Sequence, residues 1–262
     1  MTWWLLVAAP LAGFVVAPLL DRLIGSVTAL EAAEPDAAAP EPADTDNGDE
    51  AVVAAAVDNY PPVPYSPAAV RRRSLLLLLV LPLVFLLIAL RFGESAKTAV
   101  AMAYTVWFTA IAAVDLEHRL IPNRLLFPLQ ALLPDKASAA WGWIMGLSSV
   151  PLFVMCALLW NISAGGMVLG LACEAGLFLL SYALTPLIFG KQGIADGDIK
   201  LAPLLGIILG FPRVLAGLFA MSVLSAVVSG FLLLSGRRGP RDYIPFAPFM
   251  VGGAAIALFV GG

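Results

Sequence analysis

The chain has 262 residues, of which 61% are hydrophobic and only 13% charged, and its mean hydropathy is +0.93. A wholly soluble fold of this length needs far more polar surface, so the bilayer is the expected solvent. The formal charge of −3 sums two unlike parts: residues 26–70 hold nine acids and no base, while the rest of the chain carries a net +6.

Nine apolar stretches follow one another, at about 3–23, 73–91, 97–114, 124–133, 141–160, 164–189, 199–211, 213–235 and 246–261. The runs Trp3 to Leu20 and Ser74 to Leu90 are long enough to cross a hydrocarbon core of about 30 Å as helices. The start, Met1-Thr2-Trp3-Trp4, has no basic n-region, so a retained first span is expected rather than a cleaved signal peptide. Residues 124–133 are too short to span and end at Pro134-Asp135-Lys136, which reads as an interfacial helix. Eight crossings remain. The seventh stretch, 199–211, is short for a span and needs tilt, extension or a thinned bilayer.

The distribution of basic residues supports that count. With the first span running outside to inside, twelve of the fifteen Lys/Arg fall on the inner side and only Arg91, Lys97 and Arg213 on the outer. The expected architecture is an all-α integral membrane protein of about eight transmembrane helices in the cell's inner (cytoplasmic) membrane. It divides into a first transmembrane helix (1–25), an acidic Ala/Pro-rich cytoplasmic loop (26–70) and a transmembrane catalytic domain (71–262). The loop has almost no large apolar groups to offset its ordering entropy, so it is expected to be mostly disordered. Cys156 and Cys173 lie inside apolar runs and form no zinc pattern.

Ionisable side chains at membrane depth are expensive and therefore candidates for function. Two clusters qualify: Asp115-Leu-Glu117-His118-Arg119-Leu-Ile121-Pro122-Asn123, and Asp196-Gly197-Asp198-Ile199-Lys200. The span count puts both at the cytoplasmic surface. Two carboxylates brought together at a partly dry site tend to share one proton. One then activates a water as general base and the other serves as general acid. Peptide hydrolysis by this route needs no metal, no cofactor and no nucleophilic side chain. The chain has one His, no Cys near either cluster and no GxSxG.

These residues resemble the type IV prepilin peptidases, membrane aspartyl proteases of the GxGD type. Asp115, a five-residue gap and Ile121-Pro122-Asn123 look like the family's first catalytic motif. Ala195-Asp196-Gly197-Asp198-Ile199-Lys200 resembles the second, with Ala195 at its first glycine, and Pro245-Phe-Ala-Pro-Phe-Met250 resembles the segment opening the last span. The resemblance covers residues 110–260. It implies catalysis by Asp115 and Asp198, supported by Gly197, Lys200, Pro122, Asn123 and Asp196. It also implies cleavage of the basic leader of prepilins or pseudopilins at the cytoplasmic face. Expected partners are those substrates and the lipid bilayer, with no nucleic acid. Many bacterial members carry paired CxxC motifs in the first cytoplasmic loop, associated with N-methyl transfer; here that loop has no cysteine. Peptidase activity is expected, and methyl transfer is not.

Each of these residues also has a plainer role open to it. Asp115 can end a span at the interface, and Asp198 can be an N-cap. Asp196 offers a rival register for the second aspartate. Glu117, His118 and Arg119 read as solvated at the inner surface, and Arg71-Arg72-Arg73 as a topology anchor with anionic lipid contact. Glu174 reads as a carboxylate buried against a partner or near the outer water layer. Gly165, Gly166, Gly170 and Gly176 give a small-residue face for tight helix packing. The functional alternative from another class is a proton-coupled transporter using Asp115, Asp198 and Lys200 as a relay. Inverted repeats would favour it, and the sequence contains no visible repeat.

Overall fold

The computed structural model describes residues 3–32, 67–118, 121, 123–126, 154–155, 157–190, 194–236 and 244–261. The described residues are helical with no strand. The helices are α1 (Trp3–Ala32), α2 (Pro67–Phe92), α3 (Ala96–His118), the short α4 (Asn123–Leu126), α5 (Ala164–Phe189), α6 (Asp196–Leu209), α7 (Arg213–Leu234) and α8 (Ala247–Gly261). Five of them, α1, α2, α3, α5 and α7, are long and apolar enough to cross a membrane, and α8 is a shorter apolar helix. In hydrocarbon every backbone polar group must bond within its own segment, which is why these apolar stretches become helices. Large apolar side chains such as Trp3, Phe14, Leu79, Phe219 and Leu234 point outward, as lipid-facing surfaces require. The chain is an all-α, multi-pass membrane protein.

Sequential helices pack as neighbours. At the α1–α2 contact a Cβ added to Gly13 would lie 2.6 Å from the Cα of Pro82, so the two backbones touch there. The first helix runs seven residues past its expected end at 25, and α2 begins at Pro67, four residues before the expected start of the catalytic domain at 71. The physical reason for the first extension is burial: Val27 and Thr28 still face the bundle, and the Thr28 hydroxyl donates to the Ile24 carbonyl at 2.9 Å. The rest of the acidic tract, and most of the 141–160 stretch, lie outside the described residues. Of the interfacial 124–133 stretch only the end of α4 is described; Leu125 and Leu126 are buried there, and the Trp107 indole donates to the Leu125 carbonyl.

Helix α6 is the centre of the bundle. Fourteen residues make a helix only about 21 Å long at 1.5 Å per residue, short of the hydrocarbon thickness. The bilayer need not thin around it, because Leu201, Ala202, Leu205, Ile208 and Leu209 are buried against neighbouring helices. Protein, not lipid, surrounds the short helix.

The three basic residues that the charge count assigns to the outer side gather at one end of the bundle. The ammonium of Lys97 sits 5.9 Å over the Trp160 ring, and the Arg213 guanidinium donates to the Trp160 carbonyl at 3.1 Å. Arg91 donates to the Phe259 carbonyl at 3.0 Å, and Phe92 stacks edge-on against both Trp160 and Phe259. These exceptions to the inward bias serve as helix-end ties. Trp160→Ala is expected to cost about 3 kcal/mol by emptying a site that is 2% exposed, checked by thermal unfolding in detergent.

Candidate active site

Asp115 stands in the last turn of α3 and is 1% exposed. Its Oδ2 accepts the Ala247 amide at 3.0 Å, and the Phe246 backbone also hydrogen-bonds the carboxylate. Ala247 is the first residue of α8, where the leading N–H groups have no partner inside their own helix. Pro245 and Pro248 flank these donors and have no N–H of their own, and proline is favoured in a first turn. The Pro245-Phe-Ala-Pro248 segment is therefore the seat of Asp115, a carboxylate held at a helix N-terminus.

Asp198 stands in the first turn of α6. The N-cap is Ala195, which has no side chain to cap with, so Asp198 is the third helical residue rather than the cap. Its amide donates to the Ala195 carbonyl at 3.0 Å, and its carboxylate lies beside the Ala195 backbone, at the position the acid of a capping box takes. Asp198 is 2% exposed, yet its Oδ1 has no hydrogen-bond partner among the described residues. Asp115 lies close enough to act on it electrostatically. The fold therefore brings together two aspartates 83 positions apart in the chain.

Asp198 also lines a cavity of about 250 Å³ with Leu177, Phe178, Met221, Ile244 and Phe246. Phe246 thus touches both halves of the site, through its backbone at Asp115 and as a wall of the cavity. Gly197 joins the two sequence motifs directly: a Cβ there would lie 2.7 Å from the Cβ of Ile121. Lys200 is half-buried one turn further along α6. Pro122 and the side chains of Asn123 and Asp196 lie outside the described residues; Asn123 opens α4 and Asp196 opens α6. Among the described residues no group of three His, Cys, Asp or Glu side chains is gathered as metal ligands.

Two expectations need correction. Glu117 and His118 are not solvated but partly buried, and Glu117 pairs with Arg73 at 2.7 Å. Arg73 is 7% exposed and also pairs with Asp21 at 2.6 Å, so it is a buried link rather than a surface anchor; Arg71 and Arg72 remain exposed. Burying the Arg73 charge is tolerated because two partly buried carboxylates pair with it. The sequence signal was Asp21, an acid beside Arg22 within the first apolar helix, where an ionisable group is costly. Glu174 is 3% exposed on α5, with no partner for its Oε2 among the described residues.

Residues 102–230 match the model of the type IV leader peptidase family. The chain is 30% identical over 188 residues to a prepilin leader peptidase/N-methyltransferase of Bacillus subtilis, covering 70% of this chain and 64% of that protein. Proteins of the same name from Stutzerimonas stutzeri and Aeromonas salmonicida are 25% and 28% identical, over 66% and 74% of this chain and 54% and 60% of theirs. The chain thus spans between about half and two thirds of the length of these curated relatives. No solved structure matches. Both aspartates, Gly197 and the cavity residues of α5 and α7 fall within the matched region, and by that match together with these relatives the chain belongs to the type IV leader peptidase family.

Proposed function

We propose that the chain is an aspartic endopeptidase that removes the leader of type IV prepilins or pseudopilins at the cytoplasmic face of the inner membrane, without N-methyl transfer. The observation that carries this reading is the pair of buried aspartates, one seated at the N-terminus of α8 and the other with an oxygen that has no partner among the described residues, beside an apolar cavity. A water between the carboxylates attacks the scissile carbonyl carbon. One aspartate takes a proton from that water, and the other, which carries the shared proton, delivers it to the substrate. The C–N bond then breaks, the nitrogen leaves as an amine with a proton, and the new acid keeps the water's oxygen.

An extended stretch of substrate suits such a site, because a helical peptide shields its own amide carbonyls. The apolar walls from Phe178, Met221 and Phe246 exclude bulk water, which strengthens the electrostatic interactions that remain. The cytoplasmic assignment rests on the count of Lys/Arg, and the absence of cysteine from residues 26–70 supports peptidase activity alone.

The test is cleavage of a full-length model prepilin by purified protein, read as a gel shift, with S-adenosylmethionine supplied as methyl donor and a methylated N-terminus sought by mass spectrometry. Cleavage without methylation supports the proposal; methylation of the product removes its second half. No cleavage of any prepilin or pseudopilin offered would overturn it. Gly197→Val is expected to slow cleavage about tenfold or more, because its branches would push Ile121 and the first turn of α6 apart. A rate equal to that of the unmodified chain would show that the contact between the two motifs is dispensable.

A further inference from the structure

We propose that Arg73 is a positioning residue for Asp115, acting through Glu117 and tying the α1–α2 hairpin to the catalytic helix. The inference rests on the peptidase reading for its kinetic consequence, but the grip itself does not.

The Arg73 guanidinium divides its donors between two helices. Its Nε bonds Asp21 Oδ1 at 2.6 Å, its Nη2 lies 3.4 Å from the Asp21 carbonyl, and its Nη1 bonds Glu117 Oε2 at 2.7 Å. The Ser74 hydroxyl completes the Asp21 carboxylate at Oδ2, at 2.7 Å. Three helices, α1, α2 and α3, thus meet at one cation.

Glu117 is two residues beyond Asp115 on α3. Residues at that spacing do not share a helix face. The final turn of α3 is therefore held from two directions: at Asp115 by the α8 amides, and at Glu117 by Arg73. Two grips on different faces resist both rotation and sliding of the turn, whereas one grip leaves a pivot. The need is local, because the last carbonyls of a helix have no intrahelical partners and helix ends fray. α3 ends at His118, only three residues after the aspartate.

Energetics point to geometry rather than stability as the use of this cluster. A buried ion pair is often no more stable than an apolar replacement of the same shape. An arginine fork, in contrast, fixes direction as well as distance. A misplacement of about 1 Å at a reacting group can cost about a hundredfold in rate. Asp21 and Arg73 both lie before residue 102, where the family match begins, so the hairpin is a support reaching in from outside the matched region.

The experiment uses the full chain in detergent or liposomes, with Glu117→Ala as the principal variant, since it leaves the Arg73–Asp21 pair intact. The readouts are prepilin cleavage kinetics, thermal unfolding, and amide hydrogen exchange of residues 112–118. The expected result is a kcat about tenfold lower with KM within about twofold, and faster exchange at the end of α3. Arg73→Gln should match it, and the double variant should be no slower than Arg73→Gln alone, because the two residues act as one unit. Arg73→Lys, which keeps the charge without the fork, should restore part of the rate. Unchanged exchange in a folded Glu117→Ala protein overturns the proposal, whatever the rate does; so does faster exchange with an unchanged kcat. If the unmodified chain cleaves no prepilin, the peptidase reading falls, and the exchange measurement alone then decides whether Arg73 holds α3.

Discussion

Asp115→Asn and Asp198→Asn are each expected to lower the rate of prepilin cleavage by about a thousandfold or more while leaving the fold in place, since general acid–base catalysis contributes about 10²–10⁴ and both members are needed. Asparagine has nearly the shape of aspartate. At position 115 its amide oxygen can still accept the Ala247 N–H, so the seat of α3 on α8 survives the change. At position 198 asparagine keeps nearly the same shape beside the Ala195 backbone. What is lost is the ability to take up or release a proton. The measurement is single-turnover cleavage beside a thermal unfolding curve for each variant. Asp196→Asn, in the rival register, should keep cleavage within a few-fold of the unmodified chain. Loss with Asp196→Asn and survival with Asp198→Asn would move the second catalytic aspartate by two residues. Survival with both Asp115→Asn and Asp198→Asn would remove the dyad altogether.

The second large effect is expected at Gly170→Ala. A Cβ at Gly170 would lie 2.2 Å from the Gly206 carbonyl oxygen and 2.7 Å from the Gly210 Cα; one at Gly206 would lie 2.5 Å from the Gly170 carbonyl oxygen. These are contacts of backbone with backbone, so no side chain can turn aside to make room. α5 and α6 would have to separate, and the displacement would reach the first turn of α6, which carries Asp198, and the cavity wall on α5 at Leu177 and Phe178. Overpacking of this kind costs about 1–3 kcal/mol. In a bilayer, close approach of small residues is a principal source of helix association, so the loss should sit at the high end. The expected result is a lower midpoint of thermal unfolding together with a cleavage rate reduced by at least about tenfold. Gly176→Ala on the same helix meets nothing within 4 Å among the described residues and should change neither. Equal behaviour of the two variants would show that the α5–α6 contact is not as close as described.

The four glycines of the α5 stripe illustrate how far sequence reading reaches. Read from spacing alone, Gly165, Gly166, Gly170 and Gly176 are equivalent small residues. In the fold Gly170 abuts another helix backbone, Gly166 meets the Ser163 hydroxyl and Ile162, and Gly165 and Gly176 meet nothing within 4 Å among the described residues. Spacing reports that a helix has a thin face, not which turn of that face another helix crosses. The basic residues behave differently. The excess on one side is a property of composition along the chain, so Arg91, Lys97 and Arg213 were separable from the rest by counting. That they converge on Trp160 and Phe259 depends on which helix ends are neighbours.

The sequence by itself determined the solvent, the apolar stretches, the helical class and the short ionisable motifs at Asp115 and Asp198. Those follow from local facts: run length against bilayer thickness, and the cost of a charge in hydrocarbon. Only the tertiary structure decided that the two aspartates lie within electrostatic reach of each other and that the α8 N-terminus, 132 residues from Asp115, binds its carboxylate. Likewise, only the fold decided that Arg73 reaches 52 residues back to Asp21 and 44 forward to Glu117. Local pattern decides what a segment must be, because the bilayer acts on each segment separately. Which segments become neighbours is decided by packing and hydrogen bonding between faces, and these act only once the helices are together.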